Sequence, residues 1–175
     1  GDYSVANAVS ADGSVIVGSS NSSSGQGAFR WTTTEGMVVL SGLPGSGSAS
    51  GANDISSDGL TIVGTAPGAF NSRAFRWTAS NGITDLGDMS IIGTGHSTAK
   101  GISGDGNIVV GNADYGNFAD NNKPAFRWTR DNQNKVAKYF EEWHSPKGDS
   151  LPVLKYVLLF PRRHDLHRRQ FRHVP

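Results

Sequence analysis

The chain has 175 residues, 16 Lys+Arg against 15 Asp+Glu, 23 glycines and no cysteine. The missing cysteine excludes a disulfide framework, a thiolate metal site and thiol chemistry. No apolar run approaches the ~18–20 residues of a spanning helix, and abundant glycine among Ser, Thr and Asn points to short strands joined by tight turns.

The first unit opens with the alternating segment Val5-Ala6-Asn7-Ala8-Val9, followed by Ser10-Ala11-Asp12-Gly13 and the β-branched run Val15-Ile16-Val17-Gly18. Asp-Gly between two such segments is a strong hairpin signal: Asp bonds the neighbouring backbone and Gly takes the left-handed position without steric cost. Asp12 and Gly13 are therefore expected to be structural turn residues. One Asp per turn lacks the dense oxygen spacing of a calcium loop. After a loop of Ser, Asn and Gly comes Ala28-Phe29-Arg30-Trp31-Thr32, a turn at Thr33-Thr34-Glu35-Gly36, and Met37-Val38-Val39-Leu40, which reads as a second hairpin. Alternation puts Phe29 and Trp31 on one face for packing, with Ala28 and Arg30 on the other; the competing role for these aromatics is a ligand platform.

The second unit repeats this plan in Ala52-Asn53-Asp54-Ile55, Asp58-Gly59, Leu60-Thr61-Ile62-Val63, Phe75-Arg76-Trp77 and Ile83-Thr84-Asp85-Leu86. The third has Asp105-Gly106, Ile108-Val109-Val110-Gly111 and Phe126-Arg127-Trp128. The aspartates lie 46 and 47 residues apart, a period typical of solenoids, propellers and arrays. Two hairpins per period match one propeller blade. The expectation is an all-β repeat array of about three four-stranded propeller-like units, an open or partial β-propeller, with units at 4–44, 50–92 and 98–150 of a domain spanning 1–150. Loops 19–27, 65–73 and 112–124 vary in length and composition, which marks one rim as tolerant and recognising.

Past Trp128 the pattern changes. Asp131-Asn132-Gln133-Asn134 reads as a cap for one short C-terminal helix over 135–143, with Val136, Tyr139, Phe140 and Trp143 on one face. Residues 154–160 read as a strand ended by Pro161. Residues 151–175 form an atypical basic tail, with five Arg and one Asp in 162–175. The tail is read as a disordered arm, a nucleic-acid or anionic-surface contact, or a non-native terminus. His144, His164, His167 and His173 lack the spacing of a zinc site. The opening at Gly1-Asp2-Tyr3 reads as a mature segment or an excised fragment.

The threefold Ala-Phe-Arg-Trp-Thr, the Gly36-Met37-Val38-Val39-Leu40 and Gly42-Leu43-Pro44-Gly45 segments, and Ser-x-Asp-Gly with Val-Gly together resemble the HAF repeat family over roughly residues 4–130. Its members are described as extracellular repeats of bacteria, some in autotransporter-like chains. The histidine of the family's His-Ala-Phe is replaced here by Gly27, Arg73 and Pro124. The resemblance implies an extracellular or bacterial cell-surface location, a β-propeller-like fold and a recurring helix-like stretch after Arg-Trp-Thr. It implies no activity.

The leading function is a non-enzymatic binding or adhesion scaffold for an extracellular glycan or protein ligand, with no catalytic residues, cofactor or metal. Up to residue 130 the chain holds a single histidine, His96, so no nucleophilic triad is visible. The alternatives are a propeller-type carbohydrate-active enzyme using Asp54, Asp85 or Asp88, and nucleic-acid binding through the tail, which is not favoured. Three blades should remain an open arc, so self-association is expected, as is packing of Phe140 and Trp143 on a terminal unit.

Overall fold

The computed structural model describes residues 3–22, 25–43, 51–68, 71–87, 95–114, 125–130, 136–140 and 156–159. The described residues are all-β, in three antiparallel sheets. The first sheet orders β1 (Ser4–Val9), β2 (Val15–Ser22), β3 (Gly25–Thr32) and β4 (Gly36–Val39) as a simple meander. The second repeats it with β5 (Gly51–Ile55), β6 (Thr61–Pro67), β7 (Ser72–Thr78) and β8 (Gly82–Gly87). The third contains β9 (Ser97–Ile102), β10 (Ile108–Ala113), β11 (Ala125–Arg130), β12 (Val136–Phe140) and a fifth strand, β13 (Tyr156–Leu159).

The helix expected over 135–143 is corrected: Val136–Phe140 is a strand, paired antiparallel to β11 with Trp128 opposite Lys138 and Arg127 opposite Tyr139. Its place in the sheet is that of β4 and β8, each paired antiparallel to the strand that carries Phe-Arg-Trp in its unit. Val, Tyr and Phe suit a pleated surface at least as well as a helix, and the unpaired edge of β11 supplies backbone partners that an isolated nine-residue helix would lack. Trp143 lies outside the described residues, as do Asp131 to Asn134 and residues 160–175.

The sheets stack face to face, and the core lies between them. Val15, Val17, Ala28 and Leu40 of the first sheet pack with Ile55, Ile62 and Phe75 of the second. Val63, Ala74 and Leu86, from the opposite face of the second sheet, pack with Val109, Phe126 and Trp128 of the third. Alternation along β6 thus sends Ile62 to one neighbour and Val63 to the other, the two-sided burial that turns a strand into a continuous apolar run. Each unit buries its apolar residues mainly against adjacent units, the arrangement of a repeat protein.

One steric rule fixes the centre of each sheet. Gly18, Gly64 and Gly111 lie opposite Phe29, Phe75 and Phe126 on the neighbouring strand. A Cβ at Gly64 would stand 2.9 Å from Cε1 of Phe75, and one at Gly111 would stand 2.7 Å from Cε1 of Phe126. In the second and third sheets the aromatic ring occupies the space that the glycine leaves, and in all three a Cβ would run into the backbone of the inner strand, at Val5, Gly51 and Thr98, which explains why the glycine recurs.

Candidate functional site

In the meander order the turns joining β1 to β2, β3 to β4, β5 to β6, β7 to β8 and β9 to β10 lie on one rim, and the strand ends at Ser22 and Gly25, Pro67 and Ser72, and Ala113 and Ala125 lie on the other, the loop rim. On the first rim the Ser-x-Asp-Gly turns have one hydrogen-bond plan. Ser10 Oγ donates to Asp12 Oδ1 at 2.6 Å, the Ser14 N–H donates to the same oxygen at 3.0 Å, and the Val15 N–H donates to Ser10 Oγ at 3.0 Å. Ser56, Asp58, Leu60 and Thr61 repeat these contacts, as do Ser103, Asp105, Asn107 and Ile108. Gly13, Gly59 and Gly106 hold φ of 74°, 71° and 72°, which a residue with a Cβ adopts only with strain.

These bonds favour the ionised carboxylate. The Ser10 hydroxyl, then the Ser14 backbone and side chain, lower the Asp12 pKa from 3.8 to about 2. The Ser56 hydroxyl and the Leu60 N–H lower Asp58, and the Ser103 hydroxyl and the Asn107 groups lower Asp105. Each aspartate serves its own turn, and among the described residues no group of three or more His, Asp and Glu side chains could hold a metal.

The turns also join the units. The Ala11 N–H donates to Ser57 C=O at 3.0 Å, and the Ser57 N–H donates in turn to Gly104 C=O at 2.9 Å. A second series comes from residues that sequence reading passed over. Asn7 and Asn53 sit at register breaks of the β1–β2 and β5–β6 ladders, a bulge geometry that re-aims the extra side chain. Asn7 Nδ2 donates to Ala52 C=O at 2.7 Å, and Asn53 Nδ2 donates to Ala99 C=O at 2.6 Å. Lys100 occupies the corresponding break in β9. The signal was present in Ala6-Asn7-Ala8, Ala52-Asn53-Asp54 and Ala99-Lys100-Gly101, aligned at the repeat period.

The aromatic and arginine positions divide by face. Phe29, Phe75, Phe126 and Trp128 are buried, while Trp31 and Trp77 are half-buried. Arg30 bridges Glu35, with Nη1 2.5 Å from Oε2; Arg76 Nη2 donates to Thr61 Oγ1 at 3.1 Å; Arg127 is exposed. No aromatic platform is assembled from these side chains, because Trp77 and Trp128 pack into different inter-unit layers.

On the loop rim the start of the third unit is pinned to the second. His96 Nδ1 accepts from the Ser72 N–H at 3.1 Å, so the neutral ring carries its proton on Nε2. The His96 N–H donates to Asp114 Oδ1 at 2.8 Å, and Asn71 Nδ2 donates to Gly95 C=O at 3.2 Å. Ser97 Oγ accepts from the Ala74 N–H at 2.9 Å and donates to Gly87 C=O. The carboxylates considered for glycoside cleavage serve local bonds as well. Asp54 accepts from the Ile55 N–H at 2.9 Å and the Ile102 N–H at 2.7 Å, and Asp85 accepts from the Gly87 N–H and lies 3.9 Å from Arg73 Nε. Asp88 lies outside the described residues.

No protein-family model and no curated protein matches the chain. Among solved structures it is similar to TolB from Acinetobacter baumannii, with a TM-score of 0.50 and 15% identity over 90% of this chain. The match covers 43% of the TolB chain. This likeness concerns the fold alone and places the stacked meander sheets beside a β-propeller.

Proposed function

We propose that the chain is a non-enzymatic β-repeat scaffold, an open partial propeller that presents its variable loop rim to an extracellular or cell-surface glycan or protein. The observation that carries this reading is the division of labour between the rims. The recurring polar residues, Ser10 and Asp12 with their counterparts and the bulge asparagines Asn7 and Asn53, are engaged in turns and inter-unit bonds. Sequence difference between units concentrates instead in 19–27, 65–73 and 112–124. A rigid frame carrying divergent loops is the usual arrangement of a recognition surface. The extracellular location rests on the resemblance of the repeated segments to HAF repeats.

A glycan and protein array, scored both for binding and for release of reducing ends, tests the reading. Retained ligand without release is expected, and exchanging residues 67–70 for 21–24, which spares the Asn71 and Ser72 ties to the third unit and the buried Ala66, should change the bound set while the melting temperature stays within a few degrees. Multiple-turnover release of reducing ends, abolished by Asp54→Asn or Asp85→Asn, would replace this reading with the carbohydrate-active enzyme.

A further inference from the structure

The three units are related by a repeated operation, so each has a face toward its predecessor and a face toward its successor. The predecessor-facing residues Ala52, Ile55 and Ile62 of the second unit are buried against the first, and Ala99 and Val109 of the third are buried against the second. Their counterparts in the first unit are uncovered: Ala6 is exposed, Ile16 is half-buried and Val9 is 54% exposed, against 6% for Ile55. The successor-facing series runs the other way. Val17 and Val63 are both 0% exposed, whereas the corresponding Val110 of the third unit is 46% exposed. Ala28 and Ala74 are buried, and Ala125 is exposed.

The two uncovered faces are the two halves of the interface already formed twice inside the chain. Their other contacts match as well. Gly59 of the second unit seats its α-carbon against Val15 and Ser10 of the first, and Gly106 seats against Thr61 and Ser56; a Cβ built on Gly13 meets nothing within 4 Å. The backbone series from Ala11 to Ser57 to Gly104 leaves the Gly104 N–H at the position of the next donor and the Ala11 C=O at that of the first acceptor. The exposed Lys100 stands where Asn7 and Asn53 reach the next unit's inner strand.

We propose that the occupant of both faces is a second copy of this chain, docked head to tail, so that two copies close a six-unit ring through two equivalent junctions. In each junction Val110 and Ala125 of one copy cover Val9 and Ala6 of the other, the Gly104 N–H donates to Ala11 C=O, and Lys100 reaches Ala6 C=O. Heterologous contacts form rings when the rotation closes, and six units fall within the roughly four to eight blades of propellers. The same apolar surface left open would be an association liability.

The test is sedimentation equilibrium of the 175-residue chain with Val9→Lys, Val110→Glu and their equimolar mixture. Wild type should have twice the 18.5 kDa chain mass. Each variant, changed at an exposed side chain, should keep its circular dichroism and fall to the monomer mass. Mixing the two should restore the dimer, because one junction then retains both valines and the other sets Lys on Glu. A wild-type monomer at the highest concentrations reached, a species larger than a dimer, a dimeric Val110→Glu, or a mixture that stays monomeric would each overturn the proposal.

Discussion

Replacing Gly64 by alanine tests the rule that one strand's glycine makes room for both a neighbouring backbone and an aromatic ring. The new Cβ would fall well inside contact distance of Gly51 C=O on β5 and 2.9 Å from both Cε1 and Cζ of Phe75. The ring is fully buried against the first unit, so it has no free volume to enter. The carbonyl belongs to a paired strand, with Gly51 opposite Thr65 and Ala52 opposite Gly64. Over-packing of side chains costs about 1–3 kcal/mol when neighbours can shift; here the first obstacle is backbone, so the expected loss is at least the upper end, about 3 kcal/mol. For a chain of this length that corresponds to a fall in melting temperature of about 6–12 °C. Gly82→Ala is the control. Its φ is +63° and its Cβ meets nothing within 4 Å, so only left-handed backbone strain remains, about 1 kcal/mol. Urea unfolding followed by tryptophan fluorescence would measure both. Adding Phe75→Leu to Gly64→Ala should fail to rescue it, because the carbonyl clash persists. A Gly64→Ala loss no larger than that of Gly82→Ala would refute the reasoning.

Acid should weaken the array through its turn aspartates. Their folded pKa values lie below the ordinary 3.8, so their contribution is fully present above pH ~4 and is lost as pH falls toward the folded values, about 2 for Asp12. Melting curves between pH 5 and 2 should show this decline, and the combined Asp12→Asn, Asp58→Asn and Asp105→Asn variant should flatten it; an unchanged slope would sink the assignment. Asn53→Ala removes one inter-unit hydrogen bond to Ala99 C=O and should cost about 1 kcal/mol. Hydrogen exchange should then speed up in β9 more than in β1, and a uniform change would argue against a local tie.

Much of the fold was legible because the local chemistry is repeated. Asp-Gly between apolar runs, β-branched segments of strand length and the Phe-x-Trp alternation each specify one element, and each occurs three times at one period. The exception was residues 136–140. Val136, Tyr139 and Phe140 fit both a helical stripe and a strand, and over so short a span the hydrophobic period does not discriminate. What decides between them is the open hydrogen-bonding edge of β11, a partner remote from the segment's own composition.

The inter-unit ties were less legible for a different reason. A bulge residue is identified by a register shift, and register is a property of two strands: nothing in Ala52-Asn53-Asp54 alone says that Asn53 is the extra residue whose amide reaches Ala99. Alignment of the three units supplies part of the missing information, since Asn7 and Asn53 coincide while the corresponding residue in the third unit is Lys100. That substitution falls on the unit whose successor face is uncovered. A lysine has a longer reach than asparagine and three rotatable donors, so it can still meet a carbonyl across a junction between separate chains, where the spacing is not set by a connecting loop. In the proposed head-to-tail ring this position would thus use a short amide between units of one chain, as at Asn7 and Asn53, and a longer, adaptable cation at the junction between copies.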